Sequence, residues 1–333
     1  MSSASPPRPP DAGARLARLG AAGLALVLIV PLALGLQDHL LYLATMAALL
    51  ALLAQSWSLP AQAGLISFGH AAFFGVGAYA SALLSLRTAA SPWLGLLAAA
   101  GAGALAGWLA ARIAADLPGP AFSLATLALA EGLRVIALHW TGLTEGAWGL
   151  VGIPGLPWPA FIGAESPRGA RVLDCYAAVS ALWLLCVSVL WIRGRPFGLA
   201  LEAIRQAEAR AEALGVNTRQ VKRAALVLSA AFAGLAGGLH AHLFRWVDPA
   251  SAFGVQYSVV PLIMAMFGGT GTLLGPVAGA VFLYLANELV FHRFAPGAHL
   301  WLYGAAVVLV VVAMPRGILG WLEQRMGRRH GLV

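Results

Sequence analysis

Charge is the first thing this sequence lacks. Only 10% of its 333 residues are charged, against about 25% in an ordinary soluble domain. Hydrophobic residues make up 60%, and the mean hydropathy is +0.81. Such a chain cannot cover itself with water-compatible surface, which excludes a soluble domain and leaves an integral membrane protein. Strand-like alternation is missing too. The apolar runs are long, continuous and rich in Ala, Leu and Gly, a pattern of helical bundles and not of barrels. Cysteine is nearly absent. Cys175 and Cys186 lie in or near apolar segments, support neither a disulfide framework nor a metal site, and read as small buried hydrophobes. No HExxH, GxSxG or Walker A motif occurs, so no catalytic set emerges and the chain cannot draw on ATP by itself. The formal charge of +8 does not indicate nucleic acid. The basic residues gather at the ends of apolar runs, as the positive-inside rule describes.

What is present is a series of apolar segments. Candidate spans cover about 20–36, 39–59, 64–86, 92–115, 121–140, 172–192, 224–243, 257–269, 271–290 and 299–314, most of them near the ~20 residues that cross the hydrocarbon core. The first follows a short Pro-rich tail with Arg8, Arg15 and Arg18 but no small-residue cleavage site, so it reads as a retained helix. With the N-terminus inside, ten crossings place 15 basic residues inside and five outside (Arg87, Arg168, Arg171, Arg245 and Arg293), with Arg134 within a span. That asymmetry supports the topology. Whether 257–269 spans or is re-entrant stays open. The expectation is an all-α polytopic membrane protein, a helical bundle of about 8–10 transmembrane segments. Its parts are a cytoplasmic tail (1–19), a first helix group (20–192), a cytoplasmic segment (193–223), a second group (224–314) and a basic cytoplasmic tail (315–333). The Gly/Pro-rich loop 141–171 falls outside, where Trp148 and Trp158 suit the membrane–water interface.

Arg193–Arg223 is the one long charged interruption. It holds seven of the 21 basic residues, including Lys222, the sole lysine, and three of the 13 acidic ones. Leu201, Ile204, Ala207, Ala211 and Leu214 recur at helical spacing and predict one apolar stripe. Glu202–Arg205 and Arg205–Glu208 are spaced for i,i+3 pairs. Gly215 predicts a left-handed cap, and Asn217 with Gln220 resembles a capping box opening the next helix. The segment reads as a helix–Gly–helix hairpin, either a solvated connector or a surface that docks into a partner's groove.

Three further features stand out. Glu131 and Arg134, three residues apart inside a span, predict an ion pair facing into the bundle, structural or lining a pathway. His70, after Ser67 and Gly69, reads as a hydrogen-bonding residue between helices, with a gating role as the second reading. Two Gly-interrupted stretches, Gly64–His70 and Gly268–Pro276 (with Gly269 and Gly271), suit broken helices in two halves.

Four stretches then carry a family resemblance over nearly all of residues 40–320: Ala63–Leu84 (AGLISFGHAAFFGVGAYASALL), Ala125–Gly155, Phe197–Ala241 and Met266–Ala280 (MFGGTGTLLGPVAGA). In that order they resemble the LivM type of membrane permease subunit of branched-chain amino acid ABC importers. Ala61, Glu145 and Ala147–Trp148 depart from the family's usual residues near the outer mouth, which bears on the solute more than on the fold. The resemblance implies a multi-pass protein of the bacterial inner membrane with both termini cytoplasmic. Its implied partners are a homologous second permease, two cytoplasmic ATP-binding subunits carrying ATP and Mg2+, a periplasmic substrate-binding protein and membrane lipid. No cofactor is implied on this chain. The resemblance makes 193–223 the coupling segment, with Gly198, Leu201, Glu202, Ile204, Arg205, Ala207, Ala211, Glu212, Leu214 and Gly215 meeting the ATPase. A translocation pathway would involve Gly64, Ser67, Gly69, His70, Glu131, Arg134, Gly268, Gly269 and Gly271. A urea or short-chain amide importer permease is the near alternative. An ion-coupled secondary transporter is the alternative of another class.

Overall fold

The computed structural model describes residues 38–158 and 166–291, with Gly304 and Gly317. The expected span 20–36 and, apart from Gly304, the span 299–314 lie outside the described residues. Among the described residues ten α-helices of six residues or more follow in order: α1 (Asp38–Ala61), α2 (His70–Thr88), α3 (Pro92–Ala114), α4 (Gly119–His139), α5 (Pro167–Arg193), α6 (Pro196–Gln206), α7 (Glu208–Ala213), α8 (Thr218–Phe244), α9 (Gln256–Gly268) and α10 (Gly275–Ala286). Among the described residues six segments are long and apolar enough to cross a membrane: α1, α3, α4, α5, α8 and Pro249–Gly268, which contains α9. The protein is an all-α polytopic membrane protein. Polar His70, Tyr79, Ser81, Ser85 and Arg87 keep α2 out of that set, yet α2 packs between α3 and α8.

Small residues hold this centre together. A Cβ on Gly77 of α2 would stand 2.2 Å from the Gly234 carbonyl oxygen of α8, and one on Gly234 would stand 2.4 Å from that of Ala99 in α3. The three backbones therefore touch, as small-residue crossings permit inside a membrane, where dispersion rather than water exclusion holds helices together. Around the crossing, α1 packs on α5, α8, α9 and α10, and buries Trp57 completely.

Several boundaries differ from the sequence expectation. The expected span 64–86 starts at His70, because Ala63 and Leu65 donate back to the Pro60 carbonyl and Gly64 turns the chain at φ +77°. Helix α5 begins at Pro167, five residues earlier than expected, since proline suits the first helical turn and Ser166 Oγ caps Gly169 N–H at 2.9 Å. In the loop before it, strand β1 (Leu150–Val151) pairs antiparallel with β2 (Trp246–Val247) in the register Leu150↔Val247. Trp158 is no free interface anchor: its indole donates to Asp174 at 3.1 Å and meets Trp93 edge-on. Trp148 remains 87% exposed.

Groups that the charge count puts on one side do meet. Arg171 pairs with Asp38, and Arg87 donates to the Gly142 carbonyl. At the other end Arg223 pairs with Asp116, and Arg193 reaches Gln62 and Gly271. This second end is the basic end of the bundle.

Candidate functional site

The charged segment lies at the basic end as two short helices rather than one. Ala207 takes an extended conformation (φ −165°, ψ 104°), which ends α6 and starts α7. This breaks the expected stripe. Leu201, Ile204 and Ala211 are buried, but against Ala63, Ile192 and Ala225 of this same chain. In this conformation they face the bundle and not the open surface, and Ala207 belongs to neither helix. Leu214 is 82% exposed, and Leu199 is also exposed. Amphipathicity showed that the segment had an apolar face; it could not show that the bundle itself supplies the groove.

The polar devices are present. Gly215 has φ +85°, and Asn217 Oδ1 accepts from Gln220 N–H at 3.1 Å to open α8. Arg205 pairs with Glu202 at 2.8 Å. Burial pushes the Glu202 carboxyl up, but hydrogen bonds from Arg205 and Gln206 and the charges of Arg205 and Arg193 outweigh it and hold the group below the usual range. The expected Arg205–Glu208 pair does not form. Glu208 instead takes Lys222 of α8, tying α7 across the loop, while Thr218 donates to Glu212 at 2.6 Å. Gly198 abuts the end of α5, where a Cβ would stand 2.5 Å from the Ile192 carbonyl oxygen.

Arg193, the last residue of α5, joins this segment to both glycine interruptions. Its Nη2 donates to Gln62 Oε1 and to the Gly271 carbonyl, each at 3.4 Å. Arg205 comes to Gly271 as well: a Cβ there would stand 3.0 Å from its Nη1. Gln62 and Arg193 carried no motif signal as partners. The chain places Gln62–Gly69 and Gly269–Leu274 at one end of the bundle with the charged helices.

The later interruption is a backbone knot. Helix α9 stops at Gly268, Gly269 turns at φ +105°, and α10 starts at Gly275. A Cβ on Gly268 would fall 1.7 Å from the Gly275 carbonyl oxygen. The earlier interruption is held by side chains. Phe68 N–H donates to Thr126 Oγ1 at 3.2 Å, Ser123 Oγ donates to the Ile66 carbonyl at 2.6 Å, and Trp57 donates to the Ser67 carbonyl at 2.7 Å. Gly69 lies against the Thr126 backbone.

His70 follows at the start of α2 and is completely buried. Its Nε2 lies 3.0 Å from Ser229 Oγ, which also lies 2.7 Å from the Ser56 carbonyl. One serine proton serves one of these contacts. Both are satisfied when Ser229 donates to the carbonyl and His70 Nε2–H donates to Ser229. His70 thus fastens α2 to α8 and α1, and no open surface reaches it in this conformation. Ser56 and Ser229 had no signal beyond being polar in apolar runs.

Glu131 and Arg134 do pair. Arg134 Nε stands 3.0 Å from both Glu131 carboxylate oxygens. The pair does not face into this bundle: the side chains of Arg134 and Glu131 are 30% and 48% exposed. Glu131 is twelve residues into α4, about 18 Å along a core ~30 Å thick. The i,i+3 spacing revealed the pair but not its direction, because α4 packs on the rest of the bundle with little of its surface. Among the described residues no His, Cys, Asp or Glu cluster is placed to hold a metal ion.

Comparison with known proteins agrees with this architecture. The chain is 29% identical over 296 residues to the high-affinity branched-chain amino acid transport system permease protein LivM of Escherichia coli (strain K12), covering 80% of this chain and 67% of that protein. It is 28% identical over 271 residues to the corresponding LivH permease of Salmonella typhimurium, with 77% and 86% covered. It is 28% identical over 259 residues to the autoinducer 2 import system permease protein LsrC of Photorhabdus laumondii, with 75% and 70% covered. No solved structure matches. Residues 39–313 match the family described as "Branched-chain amino acid transport system / permease component", and the chain belongs to that permease family, as a transport subunit and not an enzyme.

Proposed function

We propose that this chain is one of two homologous permeases in an ATP-driven importer of branched-chain or related amino acids. It sits in the bacterial inner membrane with its basic end cytoplasmic. Two ATP-binding subunits dock on the exposed side of 193–223 and hold ATP and Mg2+, and a periplasmic binding protein delivers solute to the two permeases on the opposite face. The family match supports the transport role. The observation that carries the coupling is Arg193, which links the charged segment to Gln62 and Gly271. ATP-driven movement of α6 and α7 then reaches both glycine interruptions through Arg193 and Arg205. ATP binding that differs in strength between two arrangements supplies the bias between outward and inward access.

The exposed Glu131–Arg134 face of α4 is the side turned to the second permease and the pathway. A charged pair at mid-depth is disfavoured against hydrocarbon and satisfied against a polar path. Uptake of a branched-chain amino acid into vesicles tests the proposal. Transport requires both permeases, the ATPases and ATP; transport by this chain alone overturns it.

A further inference from the structure

We infer that the groove between α3 and α8 at the basic end binds one anionic phospholipid, its phosphodiester between Arg112 and Arg223 and one acyl chain along α8. The groove has a volume of about 430 Å3 and includes Trp108, Arg112, Arg223, Val227, Leu228 and Ala231 in its wall.

Its charge is unbalanced. Arg223 gives Nη2–H to Asp116 at 2.7 Å, but its Nε is buried with no hydrogen-bond partner. Arg112 makes no ion pair among the described residues and lies 5.2 Å over the Trp108 ring. Two cations and one carboxylate leave one positive charge and one unanswered buried donor. A phosphodiester brings one negative charge and acceptor oxygens, which supplies both needs.

The depth fits a lipid. Arg112 lies two residues before the end of α3, and Arg223 five residues after the start of α8. The two guanidiniums therefore stand near the headgroup level, where basic residues collect, with Trp108 about one turn deeper. From Arg223 the wall continues to Ala231, eight residues deeper, about 12 Å along the helix. It is apolar along that length. The exposed residues of α3 beside it, Leu105, Leu109 and Ile113, are apolar as well, unlike the charged face of α4. A face of this kind suits lipid, and basic pockets between helices at this level suit anionic headgroups.

The test uses the full-length chain, delipidated in neutral detergent, with lipid retention read by native mass spectrometry. Phosphatidylglycerol and phosphatidylcholine of identical acyl chains are the probes. The expected result is one tightly retained phosphatidylglycerol, bound about fivefold or more better than phosphatidylcholine, since one basic residue near the surface contributes about 1 kcal/mol. Arg112→Ala and the milder Arg112→Gln reduce retention by about fivefold, and Val227→Trp fills the groove and reduces it for both lipids. Arg87→Ala, at the opposite end, changes nothing. Equal retention of the two lipids overturns the inference, as does an Arg112 variant that retains lipid like the parent. Displacement by inorganic phosphate reduces the site to a free-anion site and also overturns it. Loss of second-permease co-purification in Val227→Trp with lipid retention intact assigns the groove to that subunit instead.

Discussion

Gly268→Ala tests whether the α9–α10 knot positions the basic end. The added Cβ would stand 1.7 Å from the Gly275 carbonyl oxygen, 2.5 Å from its carbon and 2.9 Å from Gly279 N, where real Cβ atoms stay beyond 3.0 Å. All three neighbours are backbone, so no rotamer change relieves the clash; the start of α10 must retreat by about 1.3 Å. Overpacking of a tight site costs about 1–3 kcal/mol, and a purely backbone clash belongs at the upper end. About 3 kcal/mol lowers the folded-to-unfolded ratio roughly a hundredfold. The same displacement moves Gly271, which accepts from Arg193, so ATP-driven uptake falls further than the loss of folded protein accounts for. Gly101→Ala is the control. Gly101 lies inside α3 with open space at its Cβ position, and this change stabilises by about 0.5–1 kcal/mol. The assays are denaturant unfolding in detergent and uptake into vesicles with the partner subunits, normalised to folded protein. If Gly268→Ala unfolds like Gly101→Ala, the backbone contact does not hold the knot.

The charged segment gives a paired test. Ile204→Asp buries a carboxylate in this chain's own core and lowers stability by several kcal/mol in detergent unfolding. Leu214→Asp, on the surface, stays within about 0.5 kcal/mol but weakens ATPase pull-down; the reverse pattern would return the buried stripe to the partner. Ser229→Ala leaves the buried His70 Nε2 without its closest acceptor and destabilises by about 1–3 kcal/mol, read as a lower unfolding midpoint with unchanged helix content. For the α4 pair, Glu131→Arg with Arg134→Glu preserves a pair in the reverse order. Membrane insertion remains and amino acid uptake falls at least tenfold if the pair faces the pathway; full uptake by the swapped protein assigns it a structural role alone.

What the sequence could disclose was set by the physics of each signal. Apolar length made α1, α3, α4, α5 and α8 visible because crossing a bilayer demands it. Gly215 and Asn217 were readable as caps, since φ +85° and an N-cap acceptor are local requirements. Direction was not readable. The stripe at Leu201 and Ile204 and the pair at Glu131 and Arg134 are both defined by spacing along one helix, and spacing carries no information about which neighbour lies opposite. In this chain the stripe packs on the chain's own bundle and the pair lies on its exposed side, and neither direction follows from the spacing. Ser229 and Gln62 matter through contacts 159 and 131 residues distant in sequence, which no local pattern encodes.

The inward stripe changes how coupling must work. A hairpin whose apolar face lay in an ATPase groove would move with the ATPase and be only loosely tied to the bundle. Here Leu201, Ile204 and Ala211 are sunk among Ala63, Ile192 and Ala225, beside Gly64 and the end of α5. Lys222 holds α7 to α8, and Arg205 approaches Gly271. On the proposed reading the ATPase therefore contacts polar and isolated apolar groups such as Glu202, Leu199 and Leu214 on the outer surface, and the buried stripe carries the displacement inward. Tight cores transmit strain because side chains cannot slide without opening voids. On that same proposed reading the segment is a lever seated in the bundle, with Gln62 and Gly271, the partners of Arg193, at its short arm.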